Sequence, residues 1–236
     1  MPTVIKGQPT SAEVVARLKD EGRPVLLSFS CGKDSIAAWI ALEEAGVDVI
    51  PAYLYYAPNL SFINDELDYF EGVFGKHIRR YPHPSFYRWL ADLAMQAPEN
   101  CGLIEAAGIP KPDYDFVWGF IKDQEGLPAD TWVADGVRAA DSIVRRASFV
   151  THGVMKPASR KVSPVADWLK SEVMEAIERR GVKLPIDYEL FGRSFDGLDA
   201  RFTEPMREHL PDDYEVLRTW FPMIEVDILR REHYGL

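Results

Sequence analysis

Two hydrophobic periods alternate along this chain. Thr10-Ser11-Ala12-Glu13 has the spacing of a capping box, and Val14, Val15 and Leu18 follow it. This predicts a helix running to about Asp20 and closed by Gly22. Pro24-Val25-Leu26-Leu27-Ser28-Phe29 is a continuous apolar run too short for a helix, so it predicts a buried strand. Ile36 to Leu42 then predicts a helix ending near Gly46. Val47 to Tyr56 predicts a second strand, with Pro51 near its start or at a bulge. A strand, loop, helix and strand in this order start a parallel sheet.

The pattern continues with Phe62, Ile63, Leu67, Phe70, Val73 and Phe74, whose spacing of three and four predicts an amphipathic helix over 62–78. Arg79 to Pro82 predicts a short third strand, and Pro84 to Met95 a helix. Residues 97–112 read as loop, punctuated by Pro98, Gly102, Gly108, Pro110 and Pro112. Asp113 to Lys122 predicts a helix, Thr131 to Ala134 a fourth strand, Lys161 to Val165 a fifth, and Trp168 to Arg179 a helix. From Leu184 onward the chain is aromatic and acidic, with Pro211-Asp212-Asp213 starting a helix over 214–221. The expected organisation is an α/β domain over 1–183 and a helical C-terminal extension over 184–236 packed on it.

Composition narrows the classes. The chain of 236 residues is 47% hydrophobic and 27% charged, ordinary for a globular protein with a sizeable core. Its only cysteines, Cys31 and Cys101, lie far apart and outside any C-x-x-C pair. That argues against a disulfide framework, a cysteine zinc site and an iron–sulfur cluster. Met1 to Gly7 has no apolar signal core, and no apolar run approaches the ~20 residues of a membrane helix. A cytoplasmic protein without membrane contact is expected. His77, His83, His152, His209 and His233 show no metal-ligand spacing.

Net charge is −10, which disfavours general nucleic-acid binding. The charge is uneven. Between Gly136 and Lys161 lie six cations and one acid, a segment of +5 in a chain otherwise at −15. Such an island suits a small polyanion; a solvated basic loop is the plain alternative.

The chemistry concentrates at Ser30-Cys31-Gly32-Lys33-Asp34-Ser35, between the first strand and the second helix. A phosphate needs several N–H donors converging on one point, and a helix N-terminus supplies them with a favourable dipole. Small residues let it approach the main chain. Ser30 and Ser35 add hydroxyls, and Lys33 adds a point charge. Leu27 and Asp34 stand where a Walker A loop needs glycine and a hydroxyl residue, and no G-x-G-x-x-G occurs. Asp34 is read as a holder of the loop or as a magnesium ligand beside the phosphates.

This hexapeptide resembles the S-G-G-x-D-S signature of the PP-loop ATP pyrophosphatase (adenine nucleotide alpha hydrolase-like) superfamily, with Cys31 in place of the first glycine. Gly136-Val137-Arg138-Ala139-Ala140-Asp141-Ser142-Ile143-Val144-Arg145 resembles the G-x-R-x-x-[ED]-S-x-x-R element of the phosphoadenosine phosphosulfate (PAPS) reductase family. Ser163-Pro164-Val165-Ala166-Asp167-Trp168 is similar to that family's P-[LI]-x-x-W stretch. The resemblance implies a doubly wound, mostly parallel five-stranded sheet with helices on both faces. It implies nucleotide contacts from Ser28, Ser30, Cys31, Gly32, Lys33, Asp34, Ser35, Leu54, Tyr55, Gly136, Arg138, Asp141, Ser142 and Arg145. Leu54 and Tyr55 would lie near adenine; Lys33, Asp34, Arg138 and Arg145 would serve catalysis. Tyr53, Tyr55 and Tyr56 could stack on adenine, although strand aromatics are more often core.

The family's nucleophilic cysteine lies in a C-terminal E-C-G-x-H motif, and no cysteine follows Cys101 here. Glu99-Asn100-Cys101-Gly102-Leu103 lacks the adjacent Glu-Cys and the histidine. Cys31 reads as a small loop residue rather than a reactive thiol. The expected activity is therefore use of ATP, with magnesium, at the α-phosphate to give an adenylate and pyrophosphate. The alternatives are a PAPS or adenylyl-sulfate reductase-like enzyme without its usual thiol, and a nucleotide-sensing subunit that works with a protein partner. A homo-oligomer is compatible with each, and the acceptor substrate is not specified by any motif.

Overall fold

Each strand is short, and burial rather than length makes it a strand. The computed structural model describes residues 3–235. Helix α1 (Ser11–Glu21) opens on the expected capping box: Glu13 N–H donates to Thr10 Oγ1 at 3.2 Å, and Thr10 N–H donates to Glu13 Oε2 at 2.8 Å. It closes on Gly22 at φ 62°, a left-handed position that glycine adopts without strain. Strand β1 (Val25–Phe29) is buried at four of its five residues, the pattern of a strand covered on both faces. Then follow α2 (Lys33–Glu44), β2 (Val49–Tyr55), α3 (Ser61–Phe74), β3 (Arg79–Pro82), α4 (Pro84–Ala91), α5 (Pro98–Ala107) and α6 (Tyr114–Gln124). The second half holds β4 (Val133–Ala134), a 3-10 turn (Ala139–Asp141), α7 (Ile143–His152), β5 (Met155–Lys156), β6 (Lys161–Val162) and α8 (Lys170–Arg180). Four further helices follow: α9 (Asp187–Leu190), α10 (Ala200–His209), α11 (Pro211–Trp220) and α12 (Glu225–Tyr234).

The sheet has six strands in the order β3-β2-β1-β4-β6-β5. Strand β1 pairs in parallel with β2 on one side and with β4 on the other, and β4 pairs in parallel with β6. The sixth strand, beyond the five expected, is β5, two residues long and antiparallel to β6. It carries no alternation to read, because Met155-Lys156 sits inside the basic segment. Two helices are also additional. Residues 97–112 contain α5, in which Pro98 occupies the first turn and Gly108 the left-handed cap at φ 59°, so the residues read as loop punctuation are the helix's own boundaries. None of its residues is buried, so no apolar stripe announces it. The basic segment contains α7, whose single buried residue is Phe149.

The described chain forms two compact units. The first comprises the chain up to Tyr53, Val73–Arg79 and Trp118–Leu184; the second comprises Leu54–Gly72, Arg80–Val117 and the chain from Pro185. In the first unit, α2 is apolar almost all round: Ile36, Ala37, Ala38, Trp39, Ile40 and Leu42 are buried, as expected of a core helix. Trp39 is fully buried, stacked on Phe74 at 4.0 Å and edge-on to Phe29 at 5.1 Å. Arg179 and Arg180 of α8 pair with Glu44 and Glu43 at the far end of α2, at 3.0 and 2.7 Å.

In the second unit, Phe62, Phe191, Phe195 and Phe202 form an edge-to-face cluster. The buried Asp213 caps α3, its Oδ2 accepting from Ser61 Oγ at 2.9 Å and Phe62 N–H at 3.1 Å. The His83 ring caps α4: Nδ1 accepts from Ser85 N–H at 3.0 Å, so the proton of the neutral ring sits on Nε2, 2.8 Å from Tyr114 Oη. Burial holds the His83 pKa down, at about 4. Among the described residues no helix is long and apolar enough to cross a membrane.

Candidate functional site

The strand order reverses at β1. From β1 the chain winds outward through β2 and β3, and it returns to the opposite side of β1 with β4. In doubly wound folds such a reversal is where the loops at the carboxyl ends of the strands leave a crevice. Ser30–Gly32 leave β1 there, and Asp135–Arg138 leave β4.

Helix α2 presents its N-terminus to this crevice. Gly32 is the N-cap, with extended backbone and no side chain to occupy the first-turn N–H groups. Ser35, one turn in, organises the loop. Its hydroxyl donates to Gly32 C=O at 2.8 Å, accepts from Ser30 N–H at 3.2 Å and lies 3.2 Å from Ser30 Oγ. Cys31 is buried and left-handed at φ 56°, a conformation natural to glycine, the residue the resembled signature has there. Neither cysteine is in a disulfide. Ser28 lies within β1, one residue before its end.

Gly136 packs tightly against the start of α2. A Cβ at this position would lie 2.5 Å from the carbonyl carbon of Asp34 and 2.6 Å from its oxygen and from Ser35 N. All three are backbone atoms at the start of α2, so only glycine lets β4's loop seat against it. Asp135, just before it, accepts from Ser163 Oγ at 2.6 Å and from Val137 N–H at 3.1 Å through one oxygen. Burial of the carboxyl raises its pKa, and those two bonds pull the other way.

The charged groups form one chain. Lys33 Nζ donates to Asp34 Oδ2 at 2.8 Å. Arg138 Nε lies 2.8 Å from Asp34 Oδ1, an ion pair by distance; the N–H does not point at that oxygen, and both buried atoms lack a hydrogen bond. Arg138 Nη2 donates to Asp141 Oδ1 at 2.6 Å, and Arg145 Nη1 to Asp141 Oδ2 at 2.6 Å. Ser142 caps α7, its hydroxyl accepting from Arg145 N–H at 3.1 Å. Three cations and two acids leave this cluster net positive, at the mouth of a helix N-terminus. Exposure separates the arginines: the Arg138 side chain is 4% exposed and that of Arg145 is 50% exposed.

Of the residues singled out in the sequence, Ser28, Ser30, Cys31, Gly32, Lys33, Asp34, Ser35, Gly136, Arg138, Asp141, Ser142 and Arg145 all fall in the first unit, around these two loops. Leu54 and Tyr55 end β2 and belong to the second unit. Leu54 is buried; the Tyr55 ring lies edge-on to Phe86 at 6.4 Å, and burial raises its phenol pKa. Sequence reasoning missed Asp135, Ser163 and the carbonyl of Trp168, which accepts from Arg138 Nη1 at 3.3 Å. Their signal was present: Asp135 directly precedes the motif glycine, and Ser163 and Trp168 bound the third motif.

Among the described residues no group of three or more His, Cys, Asp or Glu side chains is placed to hold a metal ion. Asp34 is the acid nearest the loop, and its Oδ2 is occupied by Lys33. Its Oδ1 lies 2.8 Å from Arg138 Nε, so a magnesium ion could take this carboxylate only at Oδ2, in place of Lys33.

No family model matches the chain, and no curated protein is similar to it. Solved structures similar to it include the NH3-dependent NAD synthetase of Campylobacter jejuni subsp. jejuni in complex with the nitrate ion. That chain is 14% identical, the match covering 96% of this chain and 93% of that one at a TM-score of 0.45. A predicted subunit of tRNA methyltransferase from Methanocaldococcus jannaschii is 15% identical, with 81% of this chain and 91% of that one covered at a TM-score of 0.38.

Proposed function

We propose that the protein binds ATP or a related adenine nucleotide, with its phosphates on Ser30–Ser35, and is an enzyme of the PP-loop ATP pyrophosphatase type. The observation that carries this reading is the junction of β1 and β4. There a small-residue loop on the N-terminus of a buried helix carries Lys33 and meets Arg138, which Asp141 links to Arg145, at a strand-order reversal. The three motif resemblances support it in the same order along the chain.

In this reading an acceptor nucleophile attacks the α-phosphorus. The new bond forms to phosphorus as the bond from phosphorus to the α,β-bridging oxygen breaks, and pyrophosphate carries the electron pair away. The N–H groups of α2's first turn and the Ser30 and Ser35 hydroxyls hold phosphate oxygens. Lys33 leaves Asp34 for the phosphates, and Arg145 offsets charge building on the leaving group. Magnesium bound with the polyphosphate would add further charge neutralisation, with Asp34 as its protein ligand.

Two measurements test this. Thermal melts with ATP, adenylyl sulfate and PAPS at equal concentration rank the ligands, because a ligand stabilises by its concentration over its Kd. ATP is expected to raise Tm most, and ATP with magnesium and an acceptor panel to release pyrophosphate. A larger shift from a sulfonucleotide, without pyrophosphate release, would replace this reading with the sulfonucleotide one.

A further inference from the structure

Arg138 is the first arginine of the second motif, yet it is 3% exposed and ties its own turn to two other segments. Its Nε lies 2.8 Å from Asp34 Oδ1 as an ion pair, its Nη2 donates to Asp141, and its Nη1 donates to the carbonyl of Trp168 in the third motif. Its own backbone N–H donates to Asp141 Oδ2 at 3.2 Å, and the next N–H, that of Ala139, donates to Ala166 C=O at 2.7 Å. A guanidinium has five N–H donors in a fixed fork and cannot turn one group outward without moving the others. Arg145 shares Asp141 with it but is half exposed.

We propose that Arg138 is a positioning residue that never touches the ligand: it fixes the Asp34 carboxylate and thereby the phosphate loop, and Arg145 is the guanidinium that meets the phosphates. This deepens the proposed function and rests on it for the role of Arg145. Lys33 shares Asp34 with Arg138. When Lys33 moves to a phosphate, Asp34 keeps a permanent counter-charge on its other oxygen and does not swing. Asp141 is likewise a bridge between the two arginines, both of its oxygens being occupied by them. The three motifs are then one mechanical unit, clasped at Arg138.

The test separates the clasp from the nucleotide reading. In a Cys101→Ser background Cys31 is the one thiol, buried at 2% exposure in the loop that Arg138 is said to hold. Alkylation of Cys31 in the ligand-free protein reports loop opening without any nucleotide. Arg138→Met is expected to speed it by about tenfold or more, and Arg145→Ala to leave it within about twofold. Arg138→Lys keeps the charge and part of the packing; if Arg138→Met does not fold, this variant, with a cooperative melt, carries the same expectation.

ATP binding supplies the second readout. Arg145→Ala should weaken binding by about tenfold or more and flatten its salt dependence, as loss of a partly exposed ligand cation does. Arg138→Met or Arg138→Lys should weaken binding with the salt slope unchanged, and should add less than about twofold in an Asp34→Asn background, because the two act through one contact. Unchanged Cys31 reactivity in the Arg138 variants overturns the proposal. So does an Arg138 loss that adds in full to Asp34→Asn and flattens the salt slope. If the parent protein binds no adenine nucleotide, the proposed function fails, while the alkylation result still decides the clasp.

Discussion

Two helices bring chemistry to the candidate site, and they are attached in opposite ways. Helix α2 buries seven of its twelve residues, and its first turn is sewn down by Ser35, Gly136 and Arg138. Helix α7 buries one residue of ten, Phe149, and turns Ile143 and Val144 to solvent at 88% and 78% exposure. Yet α7 carries Arg145, half exposed, and α2 carries the loop proposed to hold phosphate. The loop's donors are therefore fixed before any ligand arrives, whereas the exposed arginine is supplied by a helix with little holding it. Preorganised donors need no rearrangement to stabilise charge. Changes at α2 should thus cost stability first, and changes at α7 should cost binding first.

The largest effect expected is from Gly136→Ala. Its Cβ meets backbone atoms of Asp34 and Ser35, so the loops must part. A loss of roughly 2–4 kcal/mol in urea unfolding is expected, together with loss of ATP binding. A drop below about 0.5 kcal/mol would mean the loops are not pressed together as described.

Phe149→Ala should come next. Removing a buried phenylalanine from a core typically costs about 3–5 kcal/mol, but α7 can open on its own, so the global loss should stay below that of Gly136→Ala and the cost should appear as local release of α7. Hydrogen exchange would then quicken over 143–152 and leave Ile36–Leu42 protected. Equal loss of protection in both helices would erase the contrast drawn between them.

Arg145→Ala should leave stability within about 0.5 kcal/mol, since its pair with Asp141 is half exposed. It should nevertheless weaken ATP binding by about tenfold or more. The reverse pattern would move Arg145 to the structural side.

The contrast sharpens further at Asp135. Burial raises its pKa above the ordinary 3.8. The folded protein then holds this proton more tightly than the unfolded chain does. Its contribution is most favourable at low pH and is lost as pH rises from 3.8 through the raised value. Asp135→Asn should remove this segment of the stability–pH curve, and Ser163→Ala, by deleting a hydrogen bond to the charged form, should push the Asp135 pKa higher still. An NMR titration of the carboxyl reads both; no upward movement in Ser163→Ala would remove the Ser163 contact from the account. The smallest effect belongs to Ile143→Ser with Val144→Ser: less than about 0.5 kcal/mol, because both side chains already face water.

The same contrast decided what the sequence could show. Strand β1 and helix α2 were legible because their residues are buried, and burial imposes apolar runs. The loop between β1 and α2 was legible because a short apolar run, small and hydroxyl residues and a helix start follow one another in Val25–Leu42. Helices α5 and α7 were not: with no residue of one and a single residue of the other buried, neither needs an apolar stripe. Strand β5 is two residues long and pairs with β6, too short for any period. Within the site, Arg138 and Arg145 were picked out by the resemblance of Gly136–Arg145 to a family element. Their unequal exposure could not be read, because it depends on Asp34, Asp141 and the Trp168 carbonyl converging from three segments.

The central claim is that the loop between β1 and α2 holds an adenine nucleotide by its phosphates. Calorimetric titration of ATP with magnesium into the parent protein and into Gly136→Ala tests it most directly. Saturable binding at one site per chain, abolished in a folded Gly136→Ala protein, is the predicted result. No binding to the parent, or equal binding to both, would contradict it.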